Sequence, residues 1–141
     1  MSEYSIYCDG AYSFSRKTSG SGVVIIKDGK IITKFYKKFE KGTNNTAELC
    51  AVILAMRSFK APIDKVIIYS DSMYIIGTIN EGWNRKKNKK LWEEFDNSYE
   101  YLKKLCPDIT FIWVKGHNTG DIHSYYNNIA DELAVFATQS I

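Results

Sequence analysis

Hydrophobic and polar positions divide the chain into a strand-rich first part and a helix-rich remainder. Alternating or β-branched runs predict three strands, at Tyr4–Asp9, Gly22–Lys27 and Lys30–Lys38. The segment Gly10–Ser21 is rich in Ser, Thr, Gly and basic residues, which predicts a turn or loop. Asp28-Gly29 is typical of a two-residue hairpin turn. The three strands are therefore expected to form an antiparallel meander.

Helical spacing begins after Thr43-Asn44-Asn45-Thr46, where apolar residues recur three and four apart until Pro62 stops the pattern. The remaining elements are predicted as a buried strand at Lys65–Tyr69, helices at Ser72–Asn80 and Leu91–Leu105, a strand at Ile109–Val114 and, after a long polar loop, a helix at Ile129–Thr138. This order predicts an α/β fold in one domain, residues 1–141. Its five-stranded mixed sheet has three antiparallel strands followed by parallel crossovers, with helices on both faces.

Composition agrees with a single intracellular domain. A chain of 141 residues with 45% hydrophobic residues can bury its own core without disulfides. Cys8, Cys50 and Cys106 form no CxxC motif, so we expect reduced core residues. No apolar run approaches the roughly 20 residues that span a bilayer, and no signal peptide is visible. We therefore expect a cytoplasmic monomer without membrane association.

Positive charge is distributed unevenly along the chain. Nineteen Lys and Arg against sixteen Asp and Glu give a net charge of +3. Basic residues cluster in two places, at Lys34–Lys41 and at Arg85–Lys90. Such clusters indicate either a solvated surface or a patch that faces phosphates. Charge alone favours the solvated surface.

Four carboxylates stand where chemistry is plausible. Asp9 ends the first strand, Glu48 lies in the first turn of the first long helix, Asp71 ends the fourth strand, and Asp131 lies in the first turns of the last helix. Glu48, Asp71 and Asp131 each have a structural alternative: a capping box at Asn45–Glu48, a helix cap at Asp71 or Ser72, or a favourable dipole contact at Asp131. Taken singly, only Asp9 favours function, because Asp is disfavoured in strands.

The sequence around these carboxylates changes that balance. The segments are Tyr7-Cys8-Asp9-Gly10-Ala11, Thr43-Asn44-Asn45-Thr46-Ala47-Glu48-Leu49, Tyr69-Ser70-Asp71-Ser72, Val114-Lys115-Gly116-His117, and Asn127 followed by Ala130-Asp131-Glu132-Leu133-Ala134. In this order, and on these predicted elements, they closely resemble the type 1 ribonuclease H family. The resemblance extends from Tyr4 to about Ala137.

The resemblance implies an endonuclease that hydrolyses the RNA strand of RNA–DNA hybrids and leaves 3′-hydroxyl and 5′-phosphate ends. It implies that Asp9, Glu48, Asp71 and Asp131 hold two divalent ions, normally Mg²⁺ with Mn²⁺ left open, and that no small-molecule cofactor is needed. The chemistry agrees, because Mg²⁺ prefers oxygen ligands. Two ions about 3.5–4 Å apart can stabilise the attacking and the leaving oxygen of an in-line displacement.

His117 matches a histidine that the family uses in catalysis. The span from His117 to Asp131 is four residues longer than usual and contains a second histidine, His123. Which of the two serves the site is left open. Asn127 matches a position that orders this region, with a helix cap as the alternative.

The resemblance also implies contacts with the substrate. Asn44 and Asn45 match residues that reach into the minor groove beside the 2′-hydroxyl, with helix capping as the alternative. The positions that match a DNA-phosphate contact are Lys41, Thr43 and Asn88. Trp83 is expected either to pack on a deoxyribose or to be a half-buried core residue.

Two segments depart from the family pattern. The basic protrusion is shortened to Trp83–Lys90, so we expect weaker hybrid affinity than in relatives with a longer one. The segment after Asp9 lacks the usual glycine-rich sequence. These departures leave two alternatives to the ribonuclease: a catalytically impaired hybrid-binding module, or a nuclease for another duplex such as double-stranded RNA.

Overall fold

The computed structural model describes residues 2–116 and 120–140. Its elements are β1 (Glu3–Ser13), β2 (Thr18–Lys27), β3 (Lys30–Phe39), α1 (Asn44–Met56), β4 (Lys65–Ser70), α2 (Met73–Glu81), α3 (Lys89–Leu105), β5 (Asp108–Trp113) and α4 (Ile122–Gln139). The sheet order is β3-β2-β1-β4-β5. β1, β2 and β3 pair antiparallel, whereas β4 runs parallel to both β1 and β5. The predicted mixed sheet is confirmed.

Helices cover both faces of the sheet, as predicted. Residues of α1, α2 and α3 pack with Ile6 and Cys8 of β1 in a large apolar core. Tyr7 and Val24 face the other way and pack with Tyr126 and Ala130 of α4. Alternate residues of β1 therefore serve different cores, as the period of two in a strand requires.

The first hairpin is longer than the sequence predicts. β1 and β2 stay paired as far as Ser13 with Thr18, so the expected loop at Gly10–Ser21 is wrong except at its tip. Its buried polar residues are Thr18, Ser19 and Ser21 of β2, on which other elements pack. The Ser21 hydroxyl donates to the carbonyl of Ala47 in α1. Small and hydroxylated residues here indicate close helix packing, which composition alone cannot distinguish from a loop.

The second hairpin has the predicted turn. Asp28 and Gly29 both adopt positive φ angles, 53° and 75°. Two consecutive residues with positive φ define the turn that matches the right-handed twist of paired strands. The Asp-Gly pair therefore sets the pairing of Lys27 with Lys30, and the register shifts between Ile25 and Ile26 further along.

The last helix begins seven residues earlier than predicted, at Ile122 instead of Ile129. Asp121 caps it by accepting a hydrogen bond from the backbone nitrogen of Ser124. The buried residues of this added segment include Ser124 and Asn127, which are polar. Hydrophobic periodicity therefore could not detect it, and half of the expected polar loop, residues 122–128, is helical.

The caps of the first two helices do not use Glu48 or Asp71. The capping box of α1 joins Thr43 and Thr46, not Asn45 and Glu48. Ser72 caps α2 by accepting a hydrogen bond from Ile75. The carboxylates of Glu48 and Asp71 therefore remain available for other contacts. Among residues 2–116 and 120–140, no helix is long and apolar enough to cross a membrane.

Candidate active site

The parallel register of β1 and β4 places two aspartates side by side. The last pair in this ladder is Tyr7 with Tyr69. Two residues further along each chain lie Asp9 and Asp71, the second directly after Ser70 at the end of β4. Carboxyl ends of parallel strands meet at one edge of a sheet, which is where ligand sites of such folds usually lie.

Glu48 reaches the same edge from α1. It is the fifth residue of this helix, which begins at Asn44, and so lies just past the first turn. A Cβ atom on Gly10 would clash with the backbone nitrogen of Glu48, so glycine is needed for this approach of helix and strand. Carboxylate oxygens of Asp9, Glu48 and Asp71 lie within 4.8 Å of one another.

Burial and mutual repulsion disfavour charge in this cluster. Asp9 is only 3% exposed. Burial raises the pKa of Asp9 far above its usual range, and the carboxylate of Glu48 raises it further. Burial likewise raises the pKa of Glu48. Without a cation, this pair therefore retains a proton at neutral pH.

One oxygen in the cluster has no partner within the described part of the chain. Oε2 of Glu48 is buried and accepts no hydrogen bond there. A buried carboxylate oxygen without a partner is costly unless a cation compensates it. Three oxygen-donor side chains, one with an unsatisfied oxygen, fit a hard divalent cation. The cluster can therefore bind a metal ion.

Asp131 lies near this cluster but outside its tight core. It is the tenth residue of α4, because that helix begins at Ile122, and it is half-buried. Its charge contributes to the raised pKa of both Asp9 and Glu48. The structure thus brings three of the four predicted carboxylates together and sets the fourth beside them.

Asp71 is held from three sides. The side-chain amide of Asn127 donates to its Oδ2 over 3.3 Å. The indole nitrogen of Trp113 donates to its backbone carbonyl over 3.0 Å. A Cβ atom on Gly116 would lie 2.5 Å from the same Oδ2. The sequence predicts a role for Asn127 but none for Gly116, whose only signal is its place in the Lys115-Gly116-His117 segment.

Of the two candidate histidines, His123 lies among the described residues. His117 lies outside the described residues. His123 is half-buried in α4, where its Nδ1 shares a hydrogen bond with the hydroxyl of Tyr7 and its ring packs on Tyr69. These contacts place His123 in the tyrosine cluster on the α4 side of the sheet.

The start of α1 presents two exposed asparagines. Because Thr43 and Thr46 form the capping box, capping does not use the side chains of Asn44 and Asn45. Both are exposed, and within the described ranges neither side chain makes a hydrogen bond. Thr43, and neither asparagine, caps the helix, because its hydroxyl accepts a hydrogen bond from the backbone nitrogen of Thr46.

Two open grooves meet at Asn45. One is lined by Tyr12, Phe14, Gly42, Thr43, Asn44 and Asn45. The other is lined by Asn45, Tyr74, Asn84, Lys86 and Lys87. Asn45 thus stands between an aromatic groove and a basic groove. The sequence did not suggest the aromatic groove, because its two walls are 28 or more residues apart in the chain.

The remaining predicted substrate residues lie on the surface or close to it. Lys41 is exposed, and its backbone carbonyl accepts from Ser19. Asn88 precedes α3 with a φ of 62° and makes no side-chain cap. Trp83 is 45% exposed. One part of its ring covers Gly77 of α2, so it is anchored to the fold while retaining an exposed surface.

A five-stranded sheet of this order, with an acidic cluster that contains Asp9 of β1 and Asp71 just after β4, defines a ribonuclease H-like α/β domain. The RNase H family model matches residues 1–139, and the chain belongs to that family. A similar protein is the ribonuclease H of Caldicellulosiruptor saccharolyticus, 37% identical over 149 residues, with 95% of this chain and 94% of that protein covered. The ribonuclease H of Caldanaerobacter subterraneus subsp. tengcongensis is 39% identical over 139 residues, covering 92% and 86%. Family and enzyme class are therefore confirmed.

Solved structures share the fold. RNase H1 from Halobacterium salinarum superposes with a TM-score of 0.77 at 23% identity, covering 97% of this chain and 98% of that one. LC11-RNase H1, solved in complex with an RNA/DNA hybrid, superposes with a TM-score of 0.72 at 24% identity, covering 96% of each chain. The predicted ribonuclease H-like fold is confirmed.

Proposed function

We propose that this protein hydrolyses the RNA strand of RNA–DNA hybrids, using two divalent ions, normally Mg²⁺, and leaving 3′-hydroxyl and 5′-phosphate ends. The observation that carries the proposal is the cluster of Asp9, Glu48 and Asp71, with the unpartnered Oε2 of Glu48 inside it. Relatives named ribonuclease H over nearly the whole chain support the reaction. The hybrid bound to LC11-RNase H1 supports the substrate.

Asp9, Glu48, Asp71 and Asp131 would hold the ions. When bound, divalent ions lower the pKa of water and stabilise the oxygens that attack and leave phosphorus. The raised pKa of Asp9 and of Glu48 means that this pair releases a proton as cations enter. We propose His117, which the family resemblance assigns to catalysis, as the histidine of the site. His123 is already engaged by Tyr7.

Residues around the carboxylates would position them and the substrate. Asn127 holds the Oδ2 of Asp71, so we assign it an orienting role instead of direct contact with the substrate. We propose that Asn44 and Asn45 donate to the minor groove of the duplex beside the 2′-hydroxyls.

The DNA strand would lie toward the basic groove. We propose Lys41, Thr43 and Asn88 as contacts to a DNA phosphate, and the exposed part of Trp83 as a surface for a deoxyribose. Phosphate contacts of this kind set the register of the duplex without reading sequence. We also propose a single-domain monomer in a reducing, cytoplasmic compartment, which its three unpaired cysteines favour. Light scattering after size exclusion tests the monomer.

The decisive test compares the wild type with Asp71→Asn on a labelled RNA–DNA hybrid, in Mg²⁺ and in Mn²⁺. We expect cleavage by the wild type and loss of it in the variant, because one ligand charge is removed with little change in volume. Asp108→Asn is the matched control, because Asp108 is exposed at the start of β5, the end of that strand away from the acidic cluster.

Double-stranded RNA and double-stranded DNA belong in the same assay. Cleavage confined to the hybrid supports the proposal, and preferred cleavage of double-stranded RNA would contradict the substrate. Hybrid binding without cleavage by folded wild type would contradict the activity and indicate a binding module. An RNA with a fluorophore at its 3′ end tests the products, because phosphatase then shifts the labelled fragment only if cleavage leaves a 5′-phosphate on it.

A further inference from the structure

A large apolar side chain stands almost fully in solvent at the tip of the first hairpin. Phe14 is 83% exposed. It follows Ser13, the last residue of β1, and is the first residue of the turn that leads to Thr18. A single exposed apolar side chain is ordinary by itself, so the inference depends on what surrounds Phe14.

The turn holds Phe14 in a defined place. The backbone nitrogen of Lys17 donates to the carbonyl of Ser13 over 2.7 Å, and that of Arg16 donates to the Ser13 hydroxyl. The ring of Phe14 meets the half-buried ring of Tyr12 edge to face, with centroids 5.0 Å apart. A presented side chain that is already ordered loses little conformational entropy on binding.

The groove beside these rings is the one that ends at Asn45. Its opposite wall is formed by Gly42, Thr43 and Asn44 at the start of α1. None of the described residues that line it is acidic. Arg16 and Lys17 on the turn, and Lys41 before the opposite wall, are exposed cations at its rim. This charge distribution complements a polyanion.

Strand β1 contributes residues both to the groove and to the candidate active site. Asp9 and Ser13 are four residues apart on this strand, about 13 Å at the usual rise per residue. A duplex with a phosphate at the acidic cluster would therefore pass between the hairpin tip and α1. In such a duplex the bases are paired, so a side chain in the minor groove meets sugars and base edges.

We propose that Phe14, supported by Tyr12, is a substrate-binding residue that packs against sugar faces in the minor groove and favours the hybrid over DNA. The wide, shallow minor groove of A-like duplexes admits an aromatic ring more readily than the narrow groove of B-DNA. This inference rests on the proposed function and adds a specificity determinant to it.

Hybrid binding tests the proposal without catalysis. In EDTA, Phe14→Ala is expected to raise the Kd for a fluorescent RNA–DNA hybrid about five- to tenfold, and to raise the Kd for a DNA duplex of equal length less. Phe136→Ala is the matched control. Phe136 is 55% exposed and meets Tyr36 edge to face at 5.1 Å, on the side of the sheet that α4 covers.

A second pair of variants reports the contact directly. Phe14→Trp is expected to show a change in tryptophan emission on hybrid binding that exceeds the wild-type change, and Phe136→Trp is not. The proposal would be overturned if Phe14→Ala left the Kd for the hybrid unchanged and the emission of Phe14→Trp did not change on binding. The proposed function would still stand in that case, because the wild type binds the hybrid. Equal losses of hybrid and DNA affinity would overturn the specificity role. Absence of hybrid binding by the wild type would overturn both.

Discussion

The side-chain amide of Asn127 donates to the Oδ2 of Asp71 over 3.3 Å, joining α4 to the end of β4. Asn127 is fully buried, and its Oδ1 has no partner within the described residues. A buried amide fixed in this way serves the orientation of the carboxylate more than the stability of the core.

Asn127→Ala is therefore expected to impair catalysis more than folding. Hydrogen bonds to metal-ligating groups typically contribute 10–100-fold to affinity or activity, so we expect the Mg²⁺ concentration for half-maximal rate to rise by about that factor. The free energy of unfolding should fall by about 1 kcal/mol. Steady-state kinetics across Mg²⁺ concentrations and a urea titration measure the two effects. Asn128→Ala, at the next position of α4, is the control, and equal metal dependence in both variants would contradict the orienting role.

Gly116→Ala should misplace the same carboxylate by a different route. The added Cβ would lie 2.5 Å from Oδ2 of Asp71, so one of the two must move. We expect the hydrolysis rate to fall at least about tenfold, a free-energy difference of about 1.4 kcal/mol. Gly29→Ala gives the opposite pattern, because Gly29 has a φ of 75° and open space around it. That variant should lose thermal stability and keep activity, and loss of activity in both would show a general folding defect.

Asn45→Ala and Thr43→Ala should differ in their effect on the stability of α1. Asn45→Ala is expected to raise KM for the hybrid severalfold with Tm unchanged, since Thr43 and Thr46 form the cap. Thr43→Ala should lower the free energy of unfolding by about 1 kcal/mol, the usual cost of removing a cap. Kinetics with calorimetry on both variants checks this. A lower Tm for Asn45→Ala would show that the asparagine is structural.

Repulsion between the carboxylates of the site should make the stability of the metal-free protein depend on pH. The pKa of Asp9 and of Glu48 is raised on folding, so the native state binds more protons than the unfolded state above about pH 4. Stability must then fall as pH rises from about 4 through neutral. Asp9→Asn should flatten this dependence and raise Tm at pH 8 by about 2–4 °C, equivalent to about 1 kcal/mol. Thermal denaturation in EDTA across pH measures it, and a parallel pH dependence in wild type and variant would refute the cluster as its source.

Lys86 and Lys87 line the basic groove. An ion pair between either lysine and a phosphate of the hybrid would increase the salt dependence of binding. For each lysine that meets a phosphate, replacement by Ala lowers the slope of log K against log salt by about 1. Binding titrations at several salt concentrations measure the slope. Lys60→Ala is the control, because Lys60 is exposed beyond the end of α1. If neither Lys86→Ala nor Lys87→Ala changed the slope, the two lysines would form only a solvated surface.

Most of the fold followed from local patterns. The Asp28-Gly29 turn, the apolar spacing of α1 and α3, and the order of strands and helices all reflect interactions between residues close in the chain. The errors share one cause. Ser21 and Asn127 are polar yet buried, because their partners, Ala47 and Asp71, lie elsewhere in the sequence.

The sequence by itself determined the element order and the mixed sheet, because periodicity and turn residues indicate which segments are strands and which are helices. The segments around Asp9, Glu48, Asp71 and Asp131 indicated the four candidate carboxylates. Only the tertiary structure decided that Asp9, Glu48 and Asp71 form the tight cluster with Asp131 beside it. It also decided that Gly116 and Asn127 hold Asp71, and that Phe14 faces the start of α1 across a groove. These relationships depend on the parallel register of β1 and β4 and on the close packing of α1 and α4. Neither can be read locally, because both arise from contacts between distant segments.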